Sequence, residues 1–192
     1  MKRENIVRAA SRVFGRRGIY DFKMIDIANE AGIGKGTLYE YFRSKEEIIS
    51  GAYKLVLRDY KSFLEEKTGY VTSPVDKLRG YIRLTFEFFE FNDNILRLIF
   101  DFWAAGISHR DSRFLLENVD ESYRETVRHV KNIIDEGIAA GVFKPVDSEG
   151  TATLLLAVMD GLMFPVVLGL QRLDSRKLSE VVCQTVLEGI MP

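Results

Sequence analysis

Hydrophobic positions recur along most of the chain at the three- and four-residue spacing of one helix face, and no stretch keeps the alternation of a β-strand. The first apolar stripe covers Ile6–Phe14 and ends at a pair of glycines. A second, shorter stripe over Met24–Ala31 stops at Gly32, and a third short helix is predicted over Lys35–Phe42. The pattern therefore predicts three helices in the N-terminal part of the chain.

The same periodicity predicts helices along the rest of the chain. Ser44 and Glu47 are spaced as in a capping box, in which each side chain accepts a hydrogen bond from the other residue's free amide, and this fourth helix continues to about Lys67. Ser73 followed by Pro74 is typical of a helix start. Later helices are expected over residues 74–91, 95–107, 112–140, 147–169 and 175–189. The predicted fold is all-α, with about nine helices.

The two short helices between residues 24 and 42 have the spacing of a helix-turn-helix. Ala28 is small enough for the helices to cross closely, and Gly32 can take the positive φ that a tight turn requires. An apolar seam would lie beneath, formed by Ile27, Ile33 and Leu38. The second helix would expose a polar surface able to enter a major groove, made of Lys35, Gly36, Thr37, Glu40 and Tyr41. A helical hairpin without a role on DNA is the alternative interpretation.

Charge is distributed unevenly along the chain. Residues 1–45 contain ten basic and five acidic residues, a local charge of +5, although the whole chain carries −1. The remaining 147 residues therefore carry −6. A basic N-terminal part attached to an acidic body indicates a polyanionic partner for the basic part.

The segment IANEAGIGKGTLYEYFRSKEEI (Ile27–Ile48) resembles the signature of TetR-type (tetracycline-repressor-like) regulators, with the AG turn, KGTLY, YF and SKEE in register. The upstream AASRVFGRRGIYDF is similar to the first helix of that family, and Glu136–Pro145 and Asp160–Leu162 resemble it more loosely. The resemblance implies a helix-turn-helix DNA-binding domain over residues 1–47 and a ligand-binding and dimerisation domain over 48–192. It also implies a bacterial-type regulator that binds a near-palindromic DNA operator as a homodimer.

Carried over position by position, the resemblance implies base contacts for Lys35, Gly36, Thr37, Tyr39 and Glu40, and phosphate contacts for Gly34, Thr37, Tyr41 and Lys45. Phe22 and Lys23 depart from the family pattern, which usually has threonine there. Lys23 would reach a phosphate through its charge, and Asp21 is the candidate for the missing helix cap. Gly34 replaces the commoner serine cap of the recognition helix and loses a side-chain hydrogen bond.

Aromatic side chains are concentrated in the middle of the chain, in larger number than one helix face can bury. This favours an apolar or aromatic small-molecule effector, although each ring alone is also explained as ordinary core. The candidate pocket residues are Thr85, Phe86, Phe89, Phe100, Trp103, Phe114 and Tyr123. Candidate polar contacts are Thr85, Arg97, Asp101, His109 and Asp160. The last two helices suit a dimer interface through Val158, Leu162, Val166, Val182 and Val186. The function that the resemblance implies is a repressor released from its operator by the effector.

Other functional classes find little support in the sequence. Cys183 is the single cysteine, which excludes an internal disulfide and a multi-cysteine zinc site and fits a reducing compartment, and no cofactor or metal is expected. Asn29 stands where a phosphate loop ending at Thr37 would need its first glycine, so no enzyme is predicted. The alternative function is a helical protein-interaction module that uses the basic part on acidic partners.

Location is also constrained by the sequence. The first thirty residues are amphipathic and charged, unlike a signal peptide, so a cytoplasmic protein is expected. Ala152–Leu170 is nearly long enough to span a bilayer, but Asp160 stands near its centre and Pro165 follows. A buried helix at a subunit interface explains the stretch without a membrane.

Overall fold

The structure is a computed structural model that describes residues 2–108 and 113–192, without the side chains of residues 93, 108 and 113–115. His109 and the side chain of Phe114 therefore lie outside the described residues. Within these ranges the chain forms nine α-helices and no strand, which confirms the all-α prediction. The helices are α1 (Lys2–Arg17), α2 (Met24–Glu30), α3 (Lys35–Tyr41), α4 (Lys45–Thr68), α5 (Pro74–Phe91), α6 (Asp93–Ser108), α7 (Arg113–Ala139), α8 (Ser148–Val167) and α9 (Ser175–Ile190).

Local signals in the sequence account for many of these boundaries. Ser73 caps α5, because its hydroxyl accepts a hydrogen bond from the Asp76 amide at 3.4 Å, and Pro74 occupies the first turn. Asp174 caps α9 in the same way. Gly32 takes φ +66° in the turn between α2 and α3, as the helix-turn-helix interpretation requires.

Two predicted caps are made differently in the structure. Asp21 does not cap α2: Lys23 is the N-cap residue, and the carboxylate of Asp26, in the first turn of the helix, accepts a hydrogen bond from the Lys23 amide at 2.8 Å. At the start of α4 the Ser44 hydroxyl accepts from the Glu47 amide at 3.2 Å, as expected. The Glu47 carboxylate, however, accepts from the Arg43 amide at 2.9 Å and not from that of Ser44. The same carboxylate also pairs with Arg3 of α1 at 3.2 Å.

The chain divides into two compact units, and the first contains Met1–Asp59 and Asp93–Asp120. Helices α1 to α3, most of α4, α6 and the start of α7 belong to it. Edge-on ring packing builds part of its core, with Phe14 against Phe22 at 4.8 Å and Tyr53 against Phe102 at 5.0 Å between centroids. The predicted domain boundary after residue 47 falls inside α4, which continues through it without a break.

The second unit contains Tyr60–Asn92 and Glu121–Pro192. It comprises the end of α4, all of α5, most of α7, and the last two helices. Helices α5 and α9 pack along each other, and the unit's core includes Leu78, Ile82, Phe86, Ile134, Phe143 and Leu155. Among the described residues, α8 is the one helix long and apolar enough to cross a membrane, judged by length and composition only.

Candidate functional site

Helix α3 presents a polar face above one buried anchor. Leu38 is fully buried and fixes the helix on the first unit. The side chains of Lys35, Tyr39 and Glu40 are exposed, and Thr37 and Tyr41 are half-buried. The predicted base-reading residues therefore lie on one short helix whose orientation is set by Leu38.

The glycines of this segment leave its backbone open. Gly34 is the N-cap of α3 with an extended backbone, φ −68° and ψ 149°, and gives no side-chain cap, as predicted. A Cβ atom added at Gly34 or Gly36 would meet no atom of the described residues within 4 Å. The start of α3 is therefore accessible to a large ligand that approaches the backbone closely.

The arginines of α1 are neutralised by carboxylates within the same unit. Arg12 donates to Glu30 at 2.7 Å, and Arg16 pairs with the same carboxylate. Hydrogen bonds from Arg12 and then Arg16 lower the pKa of Glu30. Arg17 pairs with Asp26 at 3.2 Å, beside the cap of α2.

Further ion pairs join α1 to α4. Arg3 pairs with Glu47 at 3.2 Å, and its guanidinium lies 4.5 Å from the centre of the Phe42 ring. The Arg43 amide and then Arg3 keep the pKa of Glu47 low. Arg8 and Arg58 share the Glu4 carboxylate. All five arginines of α1 are thus engaged in structural pairs.

The positive charge left for a partner comes from a different set of residues. Within the described residues up to 45, the basic side chains without an ion pair are Lys2, Lys23, Lys35, Arg43 and Lys45. Four of them flank α2 and α3 or stand at the start of α4. Arg43 is absent from the residues predicted from sequence. The sequence signal that was overlooked is its positive charge in the turn between α3 and α4.

Lys45 is held at a defined place beside α2. Its ammonium donates to the Phe22 carbonyl at 2.5 Å and lies 4.5 Å from the centre of the Phe22 ring. Lys23 follows Phe22 directly in the chain and is the N-cap residue of α2, whereas Lys45 is the first residue of α4. Helix starts carry partial positive charge, which adds to that of the lysines. The arrangement suits a phosphate group.

A second polar cluster lies inside the second unit, and two of its members, Tyr60 and Tyr81, are absent from the residues predicted from sequence. The Thr85 hydroxyl donates to the Tyr81 carbonyl at 2.7 Å. Its oxygen lies 2.7 Å from the Tyr60 hydroxyl. Since threonine has a single hydroxyl proton, Tyr60 must donate to Thr85. Burial raises the pKa of Tyr60 to about 12.

Asp160 on α8 belongs to the same unit. It is partly buried, and this desolvation raises the pKa of its carboxyl from 3.8 to about 6. It makes no hydrogen bond or ion pair with any residue that the structure describes. In that same part of the chain no group of three His, Cys, Asp or Glu side chains is arranged to hold a metal ion.

The predicted pocket residues fall in both units. Phe86 and Phe89 are buried in the second unit together with Thr85, whereas Tyr123 there is 36% exposed. The other two described members, Phe100 and Trp103, belong to the first unit, with ring centres 5.1 Å apart. The Trp103 Nε1 is buried and has no hydrogen-bond partner among the residues that the structure describes.

The predicted dimer residues differ in exposure. Val158 on α8 is 41% exposed, and Leu162, Val166 and Val186 are half-buried. Val182 is only 3% exposed and belongs to the core of its own unit. Exposed apolar side chains that were absent from the predicted set complete a surface on the last two helices: Leu154, Phe164, Leu168 and Val181.

Comparison with known proteins gives two family matches. Residues 6–52 match the model of bacterial regulatory proteins of the tetR family. Residues 74–190 match the model of the C-terminal part of BetI-type transcriptional repressors. A relative in Mycolicibacterium smegmatis, the HTH-type transcriptional repressor KstR2, is 30% identical over 148 residues, which cover 75% of this chain and 68% of the relative. The fatty acid metabolism regulator protein of Bacillus subtilis is 25% identical over 96% of this chain and 93% of its own length.

Solved structures show the same fold. A transcriptional regulator from Saccharomonospora viridis in complex with choline matches with a TM-score of 0.86 at 21% identity, over 99% of this chain and 97% of its own. FadR from Bacillus subtilis in complex with stearoyl-CoA matches with a TM-score of 0.82 at 24% identity, over 97% of this chain and 98% of its own.

Proposed function

The chain belongs to the TetR family of bacterial transcriptional regulators, and on this premise we propose that it acts as a cytoplasmic homodimer on a near-palindromic operator. The protein is a ligand-responsive DNA-binding repressor and not an enzyme. The observation that carries the proposal is α3, where Leu38 is buried while Lys35, Gly36, Tyr39 and Glu40 face outward.

Each residue around α3 has a proposed role on DNA. Lys35 donates to guanine acceptors in the major groove, Glu40 accepts from a cytosine amino group, and Gly36 lets the backbone approach the bases. Thr37 and Tyr39 complete the base-reading set. Phosphates are held by Lys23, Gly34, Tyr41 and Lys45, together with Thr37. Arg43, which is exposed and unpaired among the described residues, joins the phosphate set.

The proposed dimer interface is the apolar surface on α8 and α9. Leu154, Val158 and Leu162 follow one another at the three- or four-residue spacing of one face of α8, and Val181 adds an exposed apolar side chain on α9. Burying this surface against a second copy removes it from water and favours association. Val166 and Val186 border it, and Val181 takes the place that the sequence suggested for Val182.

The proposed effector is a small, largely apolar molecule bound by the helical body. One structural neighbour is in complex with choline and another with stearoyl-CoA, so proteins of this fold bind ligands that carry apolar groups. Binding of the effector would favour a dimer whose two DNA-binding parts are splayed apart, and this would weaken binding to the operator. The free-energy difference between the operator-binding and the released conformation cannot change by more than the effector's differential affinity for the two, typically about 1–3 kcal/mol.

The test is selection of bound duplexes from a random DNA library with ligand-free protein. We expect an enriched inverted repeat. Gly36→Asp places a carboxylate on the open face of α3 and should abolish enrichment. Gly189→Asp is the matched control, because it adds the same side chain at another exposed helical glycine with open space around it. Absence of enrichment with the folded wild type, or equal enrichment with Gly36→Asp, contradicts the proposal and favours a protein partner.

A further inference from the structure

Helix α1 is strongly basic, with six basic residues and one acidic residue among its 16 residues. Three of its arginines, Arg8, Arg12 and Arg16, follow one another at four-residue spacing, so they form a row along one face of the helix, which we call the arginine row. At a rise of roughly 1.5 Å per residue, the row is about 12 Å long. Its side chains are about half exposed. A row of this kind can contact the phosphates of DNA of any sequence.

One carboxylate of α2 holds two members of the arginine row. Glu30 is the last residue of α2, and its Oε1 accepts a hydrogen bond from the Arg12 Nε at 2.7 Å. Its Oε2 pairs with the Arg16 guanidinium. The Glu30 side chain is 23% exposed, against 54% for Arg12 and 60% for Arg16. Glu30 therefore lowers the charge of this pair of arginines from +2 to +1 and fixes both guanidinium groups on α2.

The third member of the arginine row does not depend on Glu30. Arg8 pairs with Glu4 at 3.0 Å and with Asp59 at 3.0 Å, so two other carboxylates hold it. Loss of Glu30 would consequently release two arginines together and leave the third in place. Exposed ion pairs contribute little to the free energy of folding, so the unit is expected to fold without this pair of contacts.

Released arginines would change the balance between operator and other DNA. Contacts between basic side chains and phosphates carry no sequence information, and they supply most of the affinity for non-operator DNA. On the operator, the base contacts of α3 fix the orientation of the protein, whereas on other DNA the protein is free to turn its most basic surface to the phosphates. The occupancy of an operator among many competing sites depends on the ratio of the two affinities.

We infer that Glu30 determines specificity as a positioning residue: by holding Arg12 and Arg16 on α2, it limits the affinity of the protein for non-operator DNA. The inference rests on the proposed operator recognition. It adds to the determinants of specificity a carboxylate that acts through two arginines and contacts no base.

The test compares Glu30→Gln with the wild type on two labelled duplexes, the selected operator and a scrambled duplex of the same length and composition. Full-length, ligand-free protein is titrated at several salt concentrations. On the scrambled duplex, Glu30→Gln should bind at least about threefold more tightly at about 0.1 M salt. The slope of log K against log salt should steepen by about one to two units, because each added phosphate contact contributes about 0.9. The ratio of operator to scrambled affinity should fall at least about threefold.

Two controls separate this effect from a structural loss and from a change in net charge. The double variant Arg12→Gln, Arg16→Gln breaks the same two ion pairs without releasing an arginine. Its slope on the scrambled duplex should stay within about half a unit of the wild type, and adding Glu30→Gln to it should bring no gain. Asp21→Asn makes the same charge change at an exposed position before α2. Asp21 forms no ion pair with another described residue, so this variant releases no arginine and should keep the wild-type slope.

Three outcomes would overturn the inference: an unchanged slope in folded Glu30→Gln, an equal gain in Asp21→Asn, or an equal gain on both duplexes. Where Glu30→Gln does not fold, the arginine double variant decides. A slope lower by one unit or more would show that Arg12 and Arg16 already contact phosphates in the wild type, contrary to the inference. The titrations on the scrambled duplex need no operator, so their slopes test this inference even where the duplex selection yields no inverted repeat.

Discussion

Lys35 begins α3 on its exposed face, with its ammonium 5.8 Å from the centre of the Tyr39 ring. It forms no ion pair with another described residue, so its donors are available to a base edge. We expect Lys35→Ala to blur base preference at one position per half-site, at a cost of about 1–3 kcal/mol for the preferred base. Selected-sequence logos of wild type and variant measure this. An unchanged logo would show that Lys35 does not read a base. The control is Lys61→Ala, which removes a lysine from the exposed surface of α4.

Lys45 is expected to act on phosphate and not on bases. Lys45→Ala should weaken binding to all duplexes to a similar extent and reduce the slope of log K against log salt by about one unit. The slope is measured by titrating one duplex at several salt concentrations. Lys45→Arg preserves the positive charge and should keep the slope. If Lys45→Ala leaves the slope unchanged, the phosphate role is wrong.

Single residues were predictable from sequence where the cause is local. Gly32 adopts the positive φ that its turn requires, and Gly34 leaves α3 without a side-chain cap. Asp21 was the candidate cap of α2, whereas in the structure Lys23 is the N-cap residue and the Asp26 carboxylate accepts from its amide. Both carboxylates lie within reach of the helix start in the sequence. The pairing of Arg12 with Glu30 depends on how α1 packs on α2, which no local pattern shows.

At the scale of elements, the end of α7 depends on one close approach. Gly137 leaves room for Phe143, since a Cβ atom there would lie 2.0 Å from the Phe143 Cδ2 atom. Phe143 is buried, so Gly137→Ala must displace its ring, and we expect a loss of about 1–3 kcal/mol in the free energy of unfolding. Denaturant unfolding measures the loss. Gly189→Ala adds the same methyl group in open space and should not destabilise; equal effects would contradict the steric explanation.

The ionised Asp160 carboxylate of α8 lowers the free energy of unfolding, and this effect depends on pH. Its pKa of about 6 in the folded state, against 3.8 in the unfolded chain, means that the folded protein binds this proton more tightly. The stabilisation from protonation is fully present below about pH 4 and is lost as the pH rises through 6. Asp160→Asn should therefore be more stable than the wild type at pH 7.5, by on the order of 2 kcal/mol, and the difference should shrink toward pH 4.

Paired denaturant titrations across pH 4 to 7.5, without ligand, measure that difference directly. Asp174→Asn, which alters an exposed cap, is the control for general charge effects. A difference that does not change with pH would mean that the Asp160 carboxyl titrates as an ordinary exposed group.

Helix boundaries were largely predictable because caps, glycines and prolines act within a few residues. Ser73 with Pro74 starts α5 where expected, and Gly141 follows the end of α7 with φ +69°. The partners of each helix were not predictable in the same way. Tyr60 was assigned to no site, since only the packing of α4 with α5 brings its hydroxyl to Thr85.

At the scale of the whole molecule, the order of the helices along the chain differs from their grouping into compact units. Helix α6 follows α5 in sequence but belongs to the unit of α1 to α3, where Gly15 and Asn94 approach each other. The charge step near residue 45 does not coincide with the edge of the compact unit, which extends to Asp59 before α6 joins it. Charge patterns report on a partner, whereas compactness is decided by long-range apolar packing.

The last prediction concerns assembly. Val158 is 41% exposed on α8, so Val158→Glu should leave the fold of the single chain intact while placing a charge in the proposed dimer interface. An unpaired charge buried at an interface costs several kcal/mol, so the dimer should dissociate at least about 100-fold more readily. Operator affinity should fall with it, because two heads reading two half-sites bind more tightly than one. Sedimentation equilibrium and duplex titration on the same samples measure both effects, with Tyr70→Glu at an exposed loop position as the control. A Val158→Glu protein that remains dimeric would exclude this face of α8 from the interface, and a monomer with full operator affinity would contradict the requirement for two heads.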